Sequence, residues 1–494
     1  MRKLFIFILL STTILAISCR KELAYSDSPS KNISLSTDTI AFDTVFTSIG
    51  SSTRVLMVYN ENSENLKINS IRLERGSSSP YSINVDGQSG TLFKDKEIYA
   101  NDSLYVFIKV TINPNDSLNP FFESDRLIFN TNGNEKVVNL CAYGQNANYI
   151  IGRIGIFPDA NGHYTNYYYP ITDEENKDVH WTAEKPYVIY NVALIDSDGT
   201  LTIEPGTHVY FHGGAGLWAW SEGQLIVNGT KENPVVFQGD RLEPFYADQP
   251  GQWDRIWLME AREGHGHIID HAIIKNGFIG LQIQRMLKNN KAAAYVTNTI
   301  IKNHTGIGIY ANCYSIGMSN MVVDNCGGYC VALTGGGDYQ ITHGTIANYW
   351  NYTTRNTEAL FFNNLYTDPT TGNSGYVSFN CEIENSIVYG SQKNEFGTSF
   401  YPVPDTTYKF SNCLICTTRR HDNENYYKSC VFNKAPKFKK PAEHDFHLDT
   451  LSPAIKIGDP SFATGALQFD LDGVERGENP DAGAYQFVPQ ESNE

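Results

Sequence analysis

Three histidines in the middle of the chain are the densest group of side chains able to transfer protons. His265, His267 and His271 lie beside Glu263 and Asp270. Alternate side chains of a strand point to the same face, so the three histidines share a face that excludes Asp270. Neutral imidazole acts as a general base near neutral pH. The stretch therefore predicts an acid–base site facing a cleft, and packing of His271 at a corner of the fold is the alternative.

Tryptophans form a second group, because an indole face can stack on the C–H face of a sugar ring. Trp218 and Trp220 alternate on one predicted strand and therefore share a face. Trp253 follows directly after a glycine turn. We take these three residues as candidate ligand-binding residues for a glycan. The alternative is that they cover an open end of the fold or pack between domains.

Eight cysteines follow Cys19, and seven of them fall in the C-terminal part of the chain. Cys413 and Cys416 form a Cys-x-x-Cys pair, with His421 and Cys430 nearby, which is a spacing that zinc sites use. No second pair of this type completes a zinc site in the sequence, so inward-pointing thiols or a disulfide are favoured. We therefore expect no bound metal and no cofactor, although a polysaccharide lyase would require Ca²⁺.

The overall charge limits the class of partner. The net charge is −16, and charged residues make up only 19% of the chain. An acidic surface repels phosphate backbones and other polyanions, so nucleic acid is not expected as a partner and polyanionic glycans are disfavoured. Hydrophobic residues make up 41% and aromatic residues 13%, which is ample for a sizeable core. The abundance of Tyr, Phe, Gly and Asn favours strands and turns over helix bundles.

Residues 34–146 have the pattern of a β-sandwich. Apolar residues recur at every second position, as in Val55–Tyr59 and Leu104–Val110. This alternation is typical of half-buried strands, and six or seven of them in about 110 residues fit two packed sheets. The run from Val55 to Leu104 resembles the immunoglobulin-like domain of the ASPM/SPD-2/Hydin type. That resemblance implies a packing or spacer module with no catalytic role.

From residue 194 onward, a repeated unit predicts a solenoid of strands. Ile273–Gly277, Ile300–His304 and Val322–Cys326 share two β-branched residues, a polar residue and Asn, and begin 27 and then 22 residues apart. A period of roughly 20–30 residues with strands is typical of stacked coils. The Ile and Val side chains would stack inside, while Asn and Gly, which tolerate positive φ, would form the turns. Asn side chains of successive coils are expected to hydrogen-bond along the stack.

Residues 194–490 resemble the right-handed parallel β-helix family, whose members include pectate-lyase-like proteins. The resemblance rests on Leu201–Phe211, on Gly251–Trp253 and on a tail from Asp445 to Tyr485. It implies an all-β domain in which the tail closes the last coil as a cap. Residues 147–193 are then expected to connect this domain to the sandwich.

The N-terminus has the composition of an export signal. Two basic residues precede an apolar run that ends at Cys19. As a helix this run spans about 21 Å, too short for a hydrocarbon core of about 30 Å. Ala-Ile-Ser-Cys resembles a bacterial lipobox, which implies removal of residues 1–18 and lipidation of Cys19. Cys19–Glu22 is similar to the export signal of Bacteroidetes lipoproteins, which implies an outer-membrane anchor facing the cell exterior and a flexible tether over 19–33.

Together these features predict a monomeric, lipid-anchored surface protein of the all-β class, with an immunoglobulin-like sandwich followed by a β-helix. Polysaccharide-cleaving β-helix enzymes need acids or a base on an outward sheet. The polygalacturonase pattern is absent apart from Gly264-His265-Gly266, and no outward cluster of acids repeats at the coil period. We therefore expect non-catalytic binding or scaffolding at a glycan or a neighbouring cell surface. A polysaccharide lyase or glycoside hydrolase is the alternative, and outward acids on neighbouring coils would favour it.

Overall fold

The computed structural model describes residues 24–115, 120–156, 162–163, 166–196, 198–286, 293–368 and 371–489. Within these ranges the protein is all-β, with no α-helix and with short 3₁₀ helices at Gly76–Ser78, Pro244–Tyr246, Pro441–Glu443, Pro460–Phe462 and Gly465–Gln468. No helix of this described part is long and apolar enough to cross a membrane. The chain divides into two compact units, one ending at Asn146 and the other beginning at Ala147.

The N-terminal unit consists of two sheets with one shared core. Of the strands described there, six form one sheet: Tyr25–Ser26, Thr39–Phe46, Asn65–Leu73, Leu92–Ile98, Phe121–Thr131 and Asn134–Gln145. Five others form the second sheet: Ser34–Leu35, Arg54–Asn60, Tyr81–Val85, Gln88–Gly90 and Asp102–Val110. Alternate residues such as Leu56, Val58 and Val106 are fully buried between them. The predicted alternation of half-buried strands is confirmed.

The C-terminal unit is built from long parallel sheets, which we name sheets I, II and III. Among the described residues, sheet I contains eleven strands: Asn148–Ile151, Tyr187–Tyr190, His208–Phe211, Val235–Gly239, Ala272–Lys275, Ile300–His304, Val322–Cys326, Thr345–Asn348, Ile387–Gly390, Leu414–Ile415 and Val431–Phe432. Sheet II contains Asn166–Pro170, Val192–Ile195, Gly216–Ala219, Ile256–Leu258, Ile279–Gln284, Leu360–Asn363, Phe396–Ser399 and the first halves of Ile307–Ser319 and Val331–Thr342. Sheet III contains Asp178–Trp181, Thr200–Ile203, Gln224–Asn228, Gly266–Asp270, Ala293–Thr297, Phe379–Glu384, Thr406–Ser411, Tyr427–Lys428 and the second halves of the two long strands, which join it to sheet II.

Three short antiparallel pairings complete the described strands. Ile154–Ile156 pairs with the first strand of sheet II, Leu365–Thr367 pairs with Ser374–Tyr376, and Phe438–Lys440 pairs with Asp445–Leu448.

Successive coils of the chain pass through sheets III, I and II in the same order. Each strand lies in parallel register on the strand one coil earlier, and the inward side chains stack into columns. In sheet I, for example, Ile274, Ile301 and Val323 are directly adjacent and fully buried. No single coil could bury these residues alone, so the unit is stable only as a stack.

The described parallel strands within 147–193 belong to this stack, so the expectation of a connecting segment is wrong. Tyr187–Tyr190 pairs with His208–Phe211 in sheet I, and Asp178–Trp181 pairs with Thr200–Ile203 in sheet III. The ring of Trp181, which is buried, stacks on Tyr187 with centroids 4.2 Å apart. These short strands, rich in Tyr and Asp, form the first coil.

Asparagines at the same corner of three successive coils of sheet I form the ladder that the sequence predicts. Asn276, Asn303 and Asn325 adopt φ of 69°, 59° and 51°. The amide of Asn303 donates to Oδ1 of Asn276 at 3.4 Å, and that of Asn325 donates to Oδ1 of Asn303 at 2.6 Å. Asn tolerates the left-handed region better than most residues, and its amide both donates and accepts. One residue type therefore closes the corner and links the coils.

We expect Asn303→Ala to destabilise the protein more than Asn303→Gly. Both substitutions remove the ladder bonds, but only Ala is also strained at φ 59°. The expected loss in free energy of unfolding is about 2–3 kcal/mol for Ala and about 1–2 kcal/mol for Gly. Urea denaturation followed by tryptophan fluorescence measures both, and equal losses would show that the backbone conformation contributes nothing.

The tail was expected to close the last coil, but it lies against the sides of several coils. Asn412 and Asn385 donate to the backbone oxygens of Ile457 and Asp459 at 2.8 and 2.9 Å. Further along, the backbone N–H of Ala484 donates to Thr345, and Arg476 donates to Asn320. Apolar tail residues pack on the outward side chains of sheet I, which are Val322, Ala347, Ile387 and Leu414. The tail is a strap along the stack.

A histidine between two aspartates helps to hold this strap. His447 places Nδ1 2.6 Å from Asp445 and Nε2 2.7 Å from Asp472, and its ring stacks on Tyr485. The hydrogen bond to Asp472 holds the pKa of His447 above its usual 6.5. The same bond holds the pKa of Asp472 below its usual 3.8.

We expect the strap to loosen as the pH rises above neutrality. A raised histidine pKa contributes stability that is complete below the ordinary imidazole pKa and is lost as pH rises through the raised value. The lowered pKa of Asp472 contributes stability that is lost only in strong acid, as pH falls through its own value. Hydrogen exchange of residues 445–485, corrected for intrinsic rates, should be slower at about pH 5.5 than at about pH 8.5. His447→Gln should remove this difference, and an unchanged difference would contradict the assignment.

Candidate functional site

The structure separates the three histidines and gives His267 a structural position. Nδ1 of His267 accepts from the backbone N–H of Leu225 at 3.1 Å, and Nε2 donates to the carbonyl of Met259 at 2.6 Å. The side chain is fully buried, and burial lowers the pKa of His267 to about 4. Both ring nitrogens are occupied, so the expectation that His267 faces a cleft as an acid or base is wrong.

The other two histidines do not form a site with it. His265 is exposed in the turn before the strand Gly266–Asp270, with Nδ1 3.2 Å from the carbonyl of Glu263. His271 lies at the corner after this strand, with φ 49° and with Nδ1 3.1 Å from Asp270. The left-handed corner interrupts the alternation, so the three rings do not share a face. The alternative given for His271, a corner position, agrees with this geometry.

Trp253 is also a core residue. It is 2% exposed, its ring stacks on Phe211 at 4.3 Å, and its indole N–H donates to the carbonyl of Lys275 at 2.8 Å. A ligand cannot reach it, so its assignment as a binding residue is wrong. Trp218 is half-buried and points outward from sheet II, and Trp220, also half-buried, directly follows the end of that strand.

Sheet III carries the arrangement of outward acids that the sequence did not predict. In strand Val331–Thr342, Tyr339 and Ile341 are buried, so Asp338 and Gln340 point outward. In the neighbouring strand Phe379–Glu384, the outward residues are Asn380, Glu382 and Glu384.

The register places these acids on adjacent coils. Asp338 lies beside Asn380, and Gln340 lies beside Glu382. Strands about 4.8 Å apart with a two-residue offset place the Cα atoms of Asp338 and Glu382 about 8 Å apart. Both side chains are exposed. Glycosidases hold their two carboxyl groups about 5–9.5 Å apart, a separation that side chains from neighbouring coils can reach.

The two acids border a groove of about 320 Å³ on the outer face of sheet III. Its other walls include Tyr295, Ser315 and Gln340. The ring of Tyr295 is 53% exposed, so it offers an apolar face beside the polar side chains. We name this surface the acid groove. Lys409 lies in register beside Glu382 on the next coil and adds a cation at its edge.

A third carboxyl supports the acid groove from one side. Glu384 is 3% exposed, and its Oε2 accepts from the hydroxyl of Thr342 at 2.8 Å. Burial raises the pKa of Glu384 above the ordinary carboxyl value, and a hydrogen bond with Glu382 adds to the rise. Glu384 therefore keeps a proton at higher pH than an ordinary glutamate.

Sheet II presents a second outward surface, which we name the aromatic strip. Trp218, Trp257, Gln282 and Tyr310 are adjacent in register, one on each of four coils. The rings of Trp218 and Trp257 pack edge to face with centroids 4.9 Å apart. Such a row of rings suits the apolar faces of sugar rings.

A larger cavity does not bring free reactive side chains together. This cavity of about 750 Å³ lies by the last coil and includes Arg419 and Arg420. Arg420 already pairs with Asp422 at 2.6 Å, and Arg419 donates to Thr398 at 2.8 Å. These side chains stabilise the loop rather than converge on a ligand.

The cysteines that suggested a zinc site point to different partners. The thiol of Cys416 lies 3.4 Å from the carbonyl of Gln392, while His421 stacks on Phe432. All eight cysteines of the described part are free thiols. Over the same residues, no group of three or more His, Cys, Asp or Glu is placed to hold a metal ion.

No protein-family model matches this chain, and no curated protein matches it. Among solved structures, a family 123 glycoside hydrolase from Clostridium perfringens, studied for glycolipid glycan hydrolysis, is 9% identical with a TM-score of 0.17. That match covers 25% of this chain and 30% of the hydrolase.

A second solved structure is the catalytic domain of a GH87 α-1,3-glucanase with bound tetrasaccharides. It is 10% identical, with a TM-score of 0.18, over 76% of this chain and 87% of the glucanase. Both TM-scores are too low to transfer a fold or an activity, so the function has to be argued from the site.

Proposed function

We propose that the protein is a carbohydrate-active enzyme that binds a glycan along the acid groove and hydrolyses it there. The observation that carries this proposal is the pair Asp338 and Glu382, exposed on adjacent coils of sheet III and bordering one groove. Outward acids on neighbouring coils are the feature that favours an enzyme over a binding protein. The site therefore supports the enzymatic alternative better than the non-catalytic function expected from the sequence.

The two carboxyl groups have different surroundings, and these suggest their roles. Glu382 is the exposed member of the Glu382–Glu384 pair, so we assign Glu382 as the acid that protonates the leaving oxygen. Asp338 lies across the groove and would activate the attacking water as the base. Acids on adjacent coils can hold their carboxyl groups far enough apart to admit that water, so we propose an inverting hydrolase.

The charge of the groove suggests the class of substrate. Three carboxyl groups lie close together at Asp338, Glu382 and Glu384, on a chain with a net charge of −16. Such a surface repels uronates and sulfated sugars, so the proposed substrate is a neutral glycan. Tyr295 would stack on one sugar ring. We propose no cofactor; Ca²⁺ would be needed only by a lyase, which acts on the uronates that this surface repels.

The architecture and the cellular location complete the proposal. We propose that the C-terminal unit is a right-handed parallel β-helix, supported by its parallel strand order, and that the N-terminal unit is an immunoglobulin-like spacer. Cys19, the signal over 1–18 and the start of the tether at 19–23 lie outside the described residues. The rest of the expected tether is ordered, since Tyr25–Ser26 pairs in the first sheet and Ile33 is buried in the core. The N-terminal sequence supports a monomeric lipoprotein anchored in the outer membrane and facing the cell exterior, with a glycan and no nucleic acid as partner.

A panel of polysaccharides incubated with the full mature chain tests the proposal. New reducing ends from a neutral glycan would support a hydrolase, and NMR of the first product would show inversion at the anomeric carbon. Absorbance of unsaturated uronates would instead indicate a lyase. Binding to a glycan array without any turnover would contradict the enzymatic proposal.

The aromatic strip supports a second candidate function, which is glycan binding without cleavage. We expect Trp257→Ala to weaken binding of a glycan ligand about tenfold, through loss of one stacking contact. Phe245→Ala, which removes a 70% exposed ring outside the strip, is the control and should leave the affinity unchanged. Isothermal titration with the best glycan from the array measures both. Equal affinity for the two variants would exclude the strip as a binding surface.

A further inference from the structure

Two cysteines lie side by side near the end of the stack. Cys413 directly precedes Leu414–Ile415, and Cys430 directly precedes Val431–Phe432, and these two strands pair in parallel in sheet I. The backbone N–H of Val431 donates to the carbonyl of Cys413 at 2.8 Å. The two cysteines therefore occupy matching positions on neighbouring coils, and their thiols share a hydrogen bond.

The geometry of this pair suits a disulfide. Neighbouring strands lie about 4.8 Å apart, and disulfides form across Cα separations of about 4.4–6.8 Å. The two side chains occupy matching positions and interact, so the backbone does not have to move for a bond to form.

The two thiols differ in access and in acidity. Cys413 is fully buried, whereas Cys430 is half-buried. The hydrogen bond from the Cys413 thiol lowers the pKa of Cys430. Burial raises the pKa of Cys413. A thiolate that solvent can reach is the nucleophile in disulfide exchange, so Cys430 is placed to react first and Cys413 to follow.

We propose that Cys413 and Cys430 are a redox-active pair that closes into a disulfide when the protein meets a disulfide oxidant. The Cys430 thiolate attacks one sulfur of the oxidant, forming a mixed disulfide and releasing one thiolate. Cys413 then loses its proton and attacks the sulfur of Cys430, which expels the second thiolate. Two protein thiols are oxidised, one oxidant disulfide is reduced to two thiols, and the two protons pass to these products.

A second pair of touching cysteines provides an internal control. The thiols of Cys326 and Cys330 also share a hydrogen bond, but both residues are fully buried. An oxidant in solution cannot reach either sulfur without unfolding of the coil, so this pair should stay reduced under the same native conditions.

Peptide mapping of the full reduced chain after treatment with oxidised glutathione tests the proposal. We expect a linked peptide containing Cys413 and Cys430, lighter than the sum of its parts by two hydrogen atoms, while Cys326 and Cys330 remain open to alkylation after denaturation. Thermolysin cleavage between residues 413 and 430 should slow at least about tenfold in the oxidised protein. Dithiothreitol should restore both the original mass and the original cleavage rate.

A matched pair of variants makes the result specific. Cys430→Ser should abolish the linkage, and Cys141→Ser, which changes a half-buried thiol in the N-terminal unit, should leave it intact. A stable glutathione adduct on Cys430, a link to Cys416, or no linkage at all would overturn the proposal. These outcomes are independent of whether the acid groove cleaves a glycan.

Discussion

Glu382→Gln is expected to lower the rate of glycan cleavage by at least about a hundredfold, because it removes the proposed proton donor without changing the shape of the groove. Asp338→Asn should cause a comparable loss by removing the base. The two residues act on one transition state, so the double variant should lose less than the product of the two effects. Initial rates of reducing-end formation on the best substrate of the panel measure all three.

Glu424→Gln is the matched control for these variants. Glu424 is an exposed acid at the larger cavity by the last coil, outside the acid groove. Its substitution should leave the rate unchanged, and all variants should keep the unfolding midpoint of the parent. A Glu382→Gln protein that is folded and fully active would remove Glu382 from the mechanism. A loss confined to substrate binding would assign the acids to recognition alone.

Glu395→Gln is expected to reduce the free energy of unfolding by about 3–5 kcal/mol, because it leaves a buried arginine without its counter-charge. Arg355 and Glu395 form a two-pronged ion pair with Nη–Oε distances of 2.9 and 2.7 Å. Their side chains are 1% and 0% exposed. The carboxylate also accepts from the backbone N–H groups of Ala359 and Gln392 at 2.9 and 2.8 Å. Removing one charge therefore disturbs a closed network.

The exposed pair Arg420 and Asp422 is the control for this prediction. Its side chains are 87% and 59% exposed, so solvent screens the attraction between them. Asp422→Asn should leave the urea unfolding curve unchanged. If Glu395→Gln has an equally small effect, the buried pair contributes nothing to stability beyond an uncharged hydrogen bond.

The stacking of the C-terminal unit could be predicted because its sequence repeats carry the same residue types at the positions that pack. Two β-branched residues and Asn recur at matching positions, and the structure uses them as inward columns and left-handed corners. The first coil was missed because Tyr187–Tyr190 and Asp178–Trp181 are short and lack that pattern. Their pairing depends on contacts with later coils, which a local reading of the sequence cannot reveal.

The acid groove could not be predicted, because residues that are neighbours in the sheet are far apart along the chain. Gln340 and Glu382 are direct neighbours in the sheet, yet a long excursion that includes Leu365–Thr367 and Ser374–Tyr376 separates them along the chain. The acids of the groove are therefore not separated by the repeat length of the coils. The prediction of a histidine site was wrong for a different reason. Side chains alternate between the two faces only within a strand, and His271 lies beyond the end of its strand at positive φ.

The strap along sheet I has a consequence for biogenesis. Its residues follow all of the coils in the chain, so they leave the ribosome, or a channel threaded from the N-terminus, after the coils do. Until then, Val322, Ala347, Ile387 and Leu414 present a row of uncovered apolar side chains. We therefore expect a chaperone to bind the uncovered coils during synthesis. It would dissociate when the strap arrives and covers the same side chains.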